Sequence, residues 1–272
     1  VDFSREKLQL NDVITYYFIV YDNDGVNGHK CTKSSIYTYE LPSLEELNIQ
    51  RREEQDKQIK NLEDVFEKTQ QFNKDVQQLK KESLQSKSSN WNKLNKVEQL
   101  QQQQQELQQQ IQENIDELKE STNQKNQLSP IDQELLEKQA LLEELLKEVM
   151  DDELKSLLDQ LEELLKDQNK EQLKDKINEL EISTQDMNKQ LDRSLELLKK
   201  MQVNERIDDI EKELNSLAKE QDDLSKNLEN LSKEDLLKKQ TELNEKFEKL
   251  KNELSELQEL NKELMHPLDL EG

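Results

Sequence analysis

Asp22 and Asp24, in the stretch "DNDGVNG" (22–28), stand two residues apart, the spacing of the first two ligands of a calcium loop. His29 and Cys31 follow closely and could add softer donors. The set stops there. No acidic residue fills the next alternate position, no glutamate stands where a calcium loop needs its bidentate ligand, and one histidine with one thiolate does not close a zinc shell. The same residues make an ordinary turn, built from the Asp, Asn and Gly that tolerate tight backbone geometry. Calcium is therefore a weak candidate at Asp22 and Asp24, and no cofactor is expected.

Other chemistries fail for want of residues. With Gly25 and Gly28 as the glycines before the last residue, no phosphate-cradling loop or dinucleotide fingerprint can be written. His29 and His266 lie far apart and supply neither a triad nor a metal pair. Asp and Glu number 62, yet paired-carboxylate catalysis needs a desolvated concavity that long helices seldom offer. The chain reads as non-enzymatic, with no small-molecule substrate and no catalytic residue.

The charge balance narrows the partners. A net charge of −23 repels nucleic acid and anionic lipid, and the lysines of "LKKES" and "LLKKM" are interleaved with acids as on a solvated helix face. Neither nucleic acid nor direct membrane contact is expected of this chain. Its longest apolar run, "VITYYFIVY" (13–21), is far short of the ~20 residues that span a bilayer. Cys31 is the single cysteine, so no intrachain disulfide forms. The start at Val1 reads as an excised part of a longer protein.

Only 31% of residues are hydrophobic, which with this charge would suggest disorder, but the leucines recur at helical spacing. The expected fold is mainly α: long helices in a coiled-coil or bundle arrangement, with a short antiparallel β fragment at the N-terminus. Residues 1–42 carry that fragment, "NDVITYYFIVY" and "SSIYTYELP" reading as strands around the acidic turn. Val13, Thr15, Tyr17, Ile19 and Tyr21 fall on one face and Ile14, Tyr16, Phe18 and Val20 on the other. Both faces are largely apolar, and the turn into a tyrosine-rich strand resembles the penultimate strand of immunoglobulin-like sandwiches. On that reading the stretch is the end of a truncated Ig-like domain, with "VDFSREKL" as the tail of the preceding strand.

"SLEE" at Ser43 is a capping box that opens the helical body. Residues 43–120 follow as a long segment with a bend near 83–92, where Trp91 is expected to anchor the packing; unbroken, the segment would reach about 115 Å. Residues 121–130 read as a break. Residues 131–201 form a leucine-rich bundle segment whose wide face, including Leu142, Leu145, Leu158 and Leu161, is the candidate interaction surface. After Met201 the heptad phase slips, predicting a kink or turn at "MQVNER". Residues 202–266 hold two heptad-patterned helices, either an antiparallel hairpin or a kinked rod, the second opened by the cap at Ser232. Gln221, Gln240 and Asn261 sit at seam positions, as register-setting or as merely tolerated polar residues. Residues 267–272 are a tail.

The junction "YYFIVYDNDGVNGHKCTKSSIYTYELPSLEE", with "MDDELKSLLDQLEELLKDQNKEQL" and "LDRSLELLKKMQV" in the body, resembles a family of large uncharacterised Bacteroidota envelope proteins. That resemblance implies Ig-like domains and a membrane anchor before Val1, and a body on the periplasmic side of the cell envelope. The functional expectation is a scaffold, spacer or adaptor acting through helical contacts with protein partners or by self-association. A chaperone-like holder of unfolded clients and a cytoskeletal, filament-type coiled coil are the alternatives.

Overall fold

The computed structural model describes residues 12–23, 30–84, 90–128, 133–150, 152–167, 170–227 and 231–270. It is mainly α. The chain divides into two compact units, Val1–Lys57 and Gln58–Gly272.

In the first unit, β1 (Val13–Tyr16) pairs antiparallel with β4 (Tyr37–Glu40), and β2 (Ile19–Tyr21) with β3 (Cys31–Lys33). The register places Tyr16 opposite Tyr37 and Ile19 opposite Lys33, so the returning strand carries one residue more than its partner between the two ladders. This is a β-bulge. Ser34 fills it: its N–H donates to the Phe18 carbonyl and its Oγ accepts from the Phe18 N–H, both at 2.9 Å. The bulge interrupts the pairing ladder at Tyr17 and Phe18, while the Tyr16 and Phe18 rings still meet edge-on at 5.8 Å. The stretch "VDFSREKL" lies outside the described residues.

The α1 helix (Leu44–Leu84) starts at the capping box. Ser43 N–H donates to Glu46 Oε2 at 2.8 Å, and Glu46 N–H donates to Ser43 Oγ at 3.1 Å. The Ser43 N–H, aided by its hydroxyl, holds the Glu46 carboxyl below its ordinary value. A depressed carboxyl stabilises the fold above its unfolded value of 4.5 and loses that contribution as pH falls through the folded value. The Glu46 and Leu47 amides are expected to lose exchange protection in that acid window by NMR, with no such step in Glu46→Gln, which has no carboxyl to titrate.

The second unit contains the rest of α1, α2 (Asn90–Leu128), α3 (Gln133–Val149), α4 (Glu153–Lys166), α5 (Lys170–Lys226) and α6 (Lys233–Lys262). The helices on either side of the expected bend run in opposite directions. Asn61 reaches Glu117 at 3.0 Å and Lys96 reaches Asp75 at 3.1 Å, so α2 runs back along α1. Both apolar stripes are thereby buried against neighbouring helices, which a straight rod would leave in water. Trp91, expected to anchor packing here, is 68% exposed.

From α2 the direction alternates. Lys119 pairs with Glu143 while Gln101 meets Asp159, setting α3 and α4 antiparallel to α2. Lys199–Glu63 and Lys80–Glu181 then set α5 antiparallel to α1. The result is an up-down-up-down four-helix bundle whose third helix is broken between α3 and α4. The Met150 carbonyl at that break accepts from Gln108 Nε2 of α2 at 3.5 Å.

One continuous core holds the bundle, with Leu62, Phe72, Leu100, Ile111, Leu146 and Leu180 among its buried members. Thr69, Thr184 and Ser194 sit in it without orphaned hydroxyls, because each donates to the carbonyl four residues earlier, at Val65, Leu180 and Gln190.

The expected kink or turn at "MQVNER" does not end the helix, since α5 runs continuously from Lys170 to Lys226. Met201 belongs to the bundle core and Val203 to a separate cluster with Ile210, Leu257 and Leu264. The phase slip therefore marks a change of partner along a continuous helix: α5 leaves the bundle there and enters an antiparallel coil with α6. Gln221 and Gln240 exchange side-chain hydrogen bonds across that coil at 3.1 and 2.9 Å. Asn261 works differently. Its Nδ2 donates to the Leu268 carbonyl and its Oδ1 accepts from the Leu268 N–H, both at 2.8 Å, which folds the chain after α6 back onto the coil. Asn261→Ala is expected to cost about 1–2 kcal/mol locally, seen as fast exchange of the Leu268 amide.

Candidate interaction surfaces

Asp22 spends its carboxylate within the hairpin. Its Oδ1 accepts from the Lys30 N–H at 2.9 Å, and its own N–H donates to the Lys30 carbonyl at 3.0 Å. Asp24 lies outside the described residues. Among the described residues no group of three or more His, Cys, Asp or Glu is placed to hold a metal.

The leucine face proposed as an interaction surface is the inside of the bundle. Leu142, Leu158 and Leu161 are fully buried and Leu145 is half-buried. α3 and α4 carry apolar residues around more of their circumference than a two-helix seam requires because α2 and α5 flank them on two sides. Their width is spent on intramolecular neighbours.

Among the described residues, exposed apolar side chains gather on a surface of each unit. On the hairpin, Tyr16 stacks on Tyr37 at 5.4 Å and Phe18 meets both edge-on, while Val20, Tyr21 and Ile36 are exposed. A two-stranded ribbon buries too little to be stable alone, so such a face ordinarily has something against it. On the α5–α6 coil, Leu214, Leu237, Phe247 and Leu254 are exposed along one side. Near the tip of that side, Leu224, Leu236 and Leu237 line a shallow groove of about 420 Å³ with Gln221 and Gln240 at its rim.

The heptad pattern of 202–266 puts Leu214, Phe247 and Leu254 at seam positions, where a two-helix coil would be expected to bury them, and so does not reveal this surface. The available signal was the charge contrast between the flanks of the two helices. No described helix is long and apolar enough to cross a membrane. No protein-family model, curated protein or solved structure matches this chain.

Proposed function

We propose that this chain is a non-enzymatic scaffold, spacer or adaptor that works by presenting helical surfaces to protein partners. The observation that carries the reading is the division of labour along α5. Its first part is locked into a bundle core, and its last two dozen residues continue into a two-helix coil with exposed apolar side chains. A stable base bearing an arm with an uncovered contact face is suited to holding proteins, and the depression around Asp152, Lys155 and Glu163 is shallow and lined with charge. The resemblance to Bacteroidota envelope proteins supports placing this activity on the periplasmic side of the cell envelope, with the membrane anchor outside this sequence.

The test is cross-linking of the full-length protein in its native cells, followed by fractionation and mass spectrometry. Recovery of a defined set of envelope proteins attached to helical segments is the expected result. Recovery of a broad set of unfolded chains would replace the scaffold with a holder of clients, and a cytosolic filament set would overturn the location.

A further inference from the structure

The α5–α6 coil buries one of its two core rows and leaves most of the other open, Ile207 of that second row being half-buried. Val203, Ile210, Leu217 and Leu224 of α5, seven residues apart, meet Leu243, Leu250, Leu257 and Leu264 of α6, and none is more than 9% exposed. The companion row is Ile207, Leu214 and Gln221 with Gln240, Phe247 and Leu254. There Leu214 and Leu254 are 40% exposed and Phe247 is 51% exposed.

The flanks differ in the same sense. Beside the closed row, Arg206, Glu213 and Glu220 of α5 stand against Lys239, Lys246 and Glu253 of α6, and Lys246 reaches Glu220 at 2.7 Å. This is the charged edge that two-stranded coils carry next to solvent. Beside the open row α5 presents Asn204, Glu211, Ala218 and Ser225. The matching positions of α6 are Leu237, Asn244, Lys251 and Gln258. An apolar row between charge-poor flanks has the composition of an interface core.

We propose that the open side of the coil binds the same side of a second copy of this chain, joining two α5–α6 pairs into a four-helix bundle. The two charges on those flanks, Glu211 and Lys251, identify the occupant. They are opposite in sign, and counting from the Gln221–Gln240 and Lys246–Glu220 contacts sets them within about half a turn of the same height. A two-fold axis along the coil places α5 of each copy against α6 of the other, which brings each Glu211 beside the Lys251 of the second copy. Glu211 has no ion pair among the described residues, and Lys251 has only an exposed 3.5 Å contact with Glu248 of its own helix. The area also suffices. From Val203 to Lys226 the coil is about 35 Å long and about 20 Å across, which offers about 700 Å² per copy against the roughly 800 Å² of a standard stable interface.

This inference rests on the reading that the helices act by binding protein, and it names the partner at one surface. Its test is sedimentation velocity on the full chain at tens of micromolar. The native chain is expected to be a dimer, and Phe247→Glu a monomer with unchanged helical circular dichroism. Glu211→Lys is expected to weaken the dimer roughly tenfold, and adding Lys251→Glu to restore it. A chain that stays monomeric, or a dimer that none of these substitutions moves, overturns the proposal. Either result leaves the cross-linking test of other partners standing, so the two readings fail separately.

Discussion

Leu158→Ala is expected to cost the second unit about 3 kcal/mol, because a fully buried leucine is replaced by a side chain that leaves a cavity its neighbours fill only in part. Leu158 lies in α4 among Leu154, Leu157, Leu161 and Leu165, all buried, where the helices on either side limit collapse. Leu158→Lys should cost more, since an ammonium would enter an apolar core without a counter-ion. Urea unfolding followed by circular dichroism measures both. A Leu158→Lys chain with native helicity and an unshifted midpoint would mean that this face meets solvent. The client-holding alternative would then regain its surface.

Asn204→Pro is expected to cost about 3 kcal/mol or more, because the ring removes an amide donor from the middle of a helix and clashes with the carbonyl four residues back. The site lies where α5 passes from bundle to coil. Hydrogen exchange should accelerate along the distal part of α5 and along α6, while α1 to α4 keep their protection. If stability and exchange are unchanged, the helix is already interrupted at "MQVNER", and the coil is an independent hairpin on a joint.

The local rules were legible wherever the chemistry was local. Both capping serines, Ser43 and Ser232, accept the expected hydrogen bond from the amide three residues on. The stripe Leu62, Val65, Thr69, Phe72, Val76 and Leu79 is buried throughout, as is the longer one from Leu173 to Met201. What a stripe meets was not legible. Spacing shows which side of a helix is apolar and is silent about whether another segment, another copy or a client covers it. For that reason the face around Leu142 and Leu158 could be read as an open surface, and the slip after Met201 as a kink. A change of partner and a change of direction leave the same mark in a heptad count. The candidate metal pair was equally ambiguous, because an aspartate that closes a turn through a backbone amide, as Asp22 does, has the same spacing as a ligand.

The ion pairs that join α1 to α5 also set a timetable for synthesis. Lys80 meets Glu181 across 101 residues of chain. At roughly 5–20 residues per second, a ribosome takes about 5–20 s to supply that distance. α2 can fold back on α1 much earlier, within microseconds of its emergence, but the side of α1 that faces α5 stays wet until the fourth helix arrives. The α5–α6 coil, by contrast, closes between near neighbours in sequence and needs no earlier segment. A nascent chain halted before α5 is complete should therefore hold an unfinished, sticky bundle, and arrest a few dozen residues later should release it.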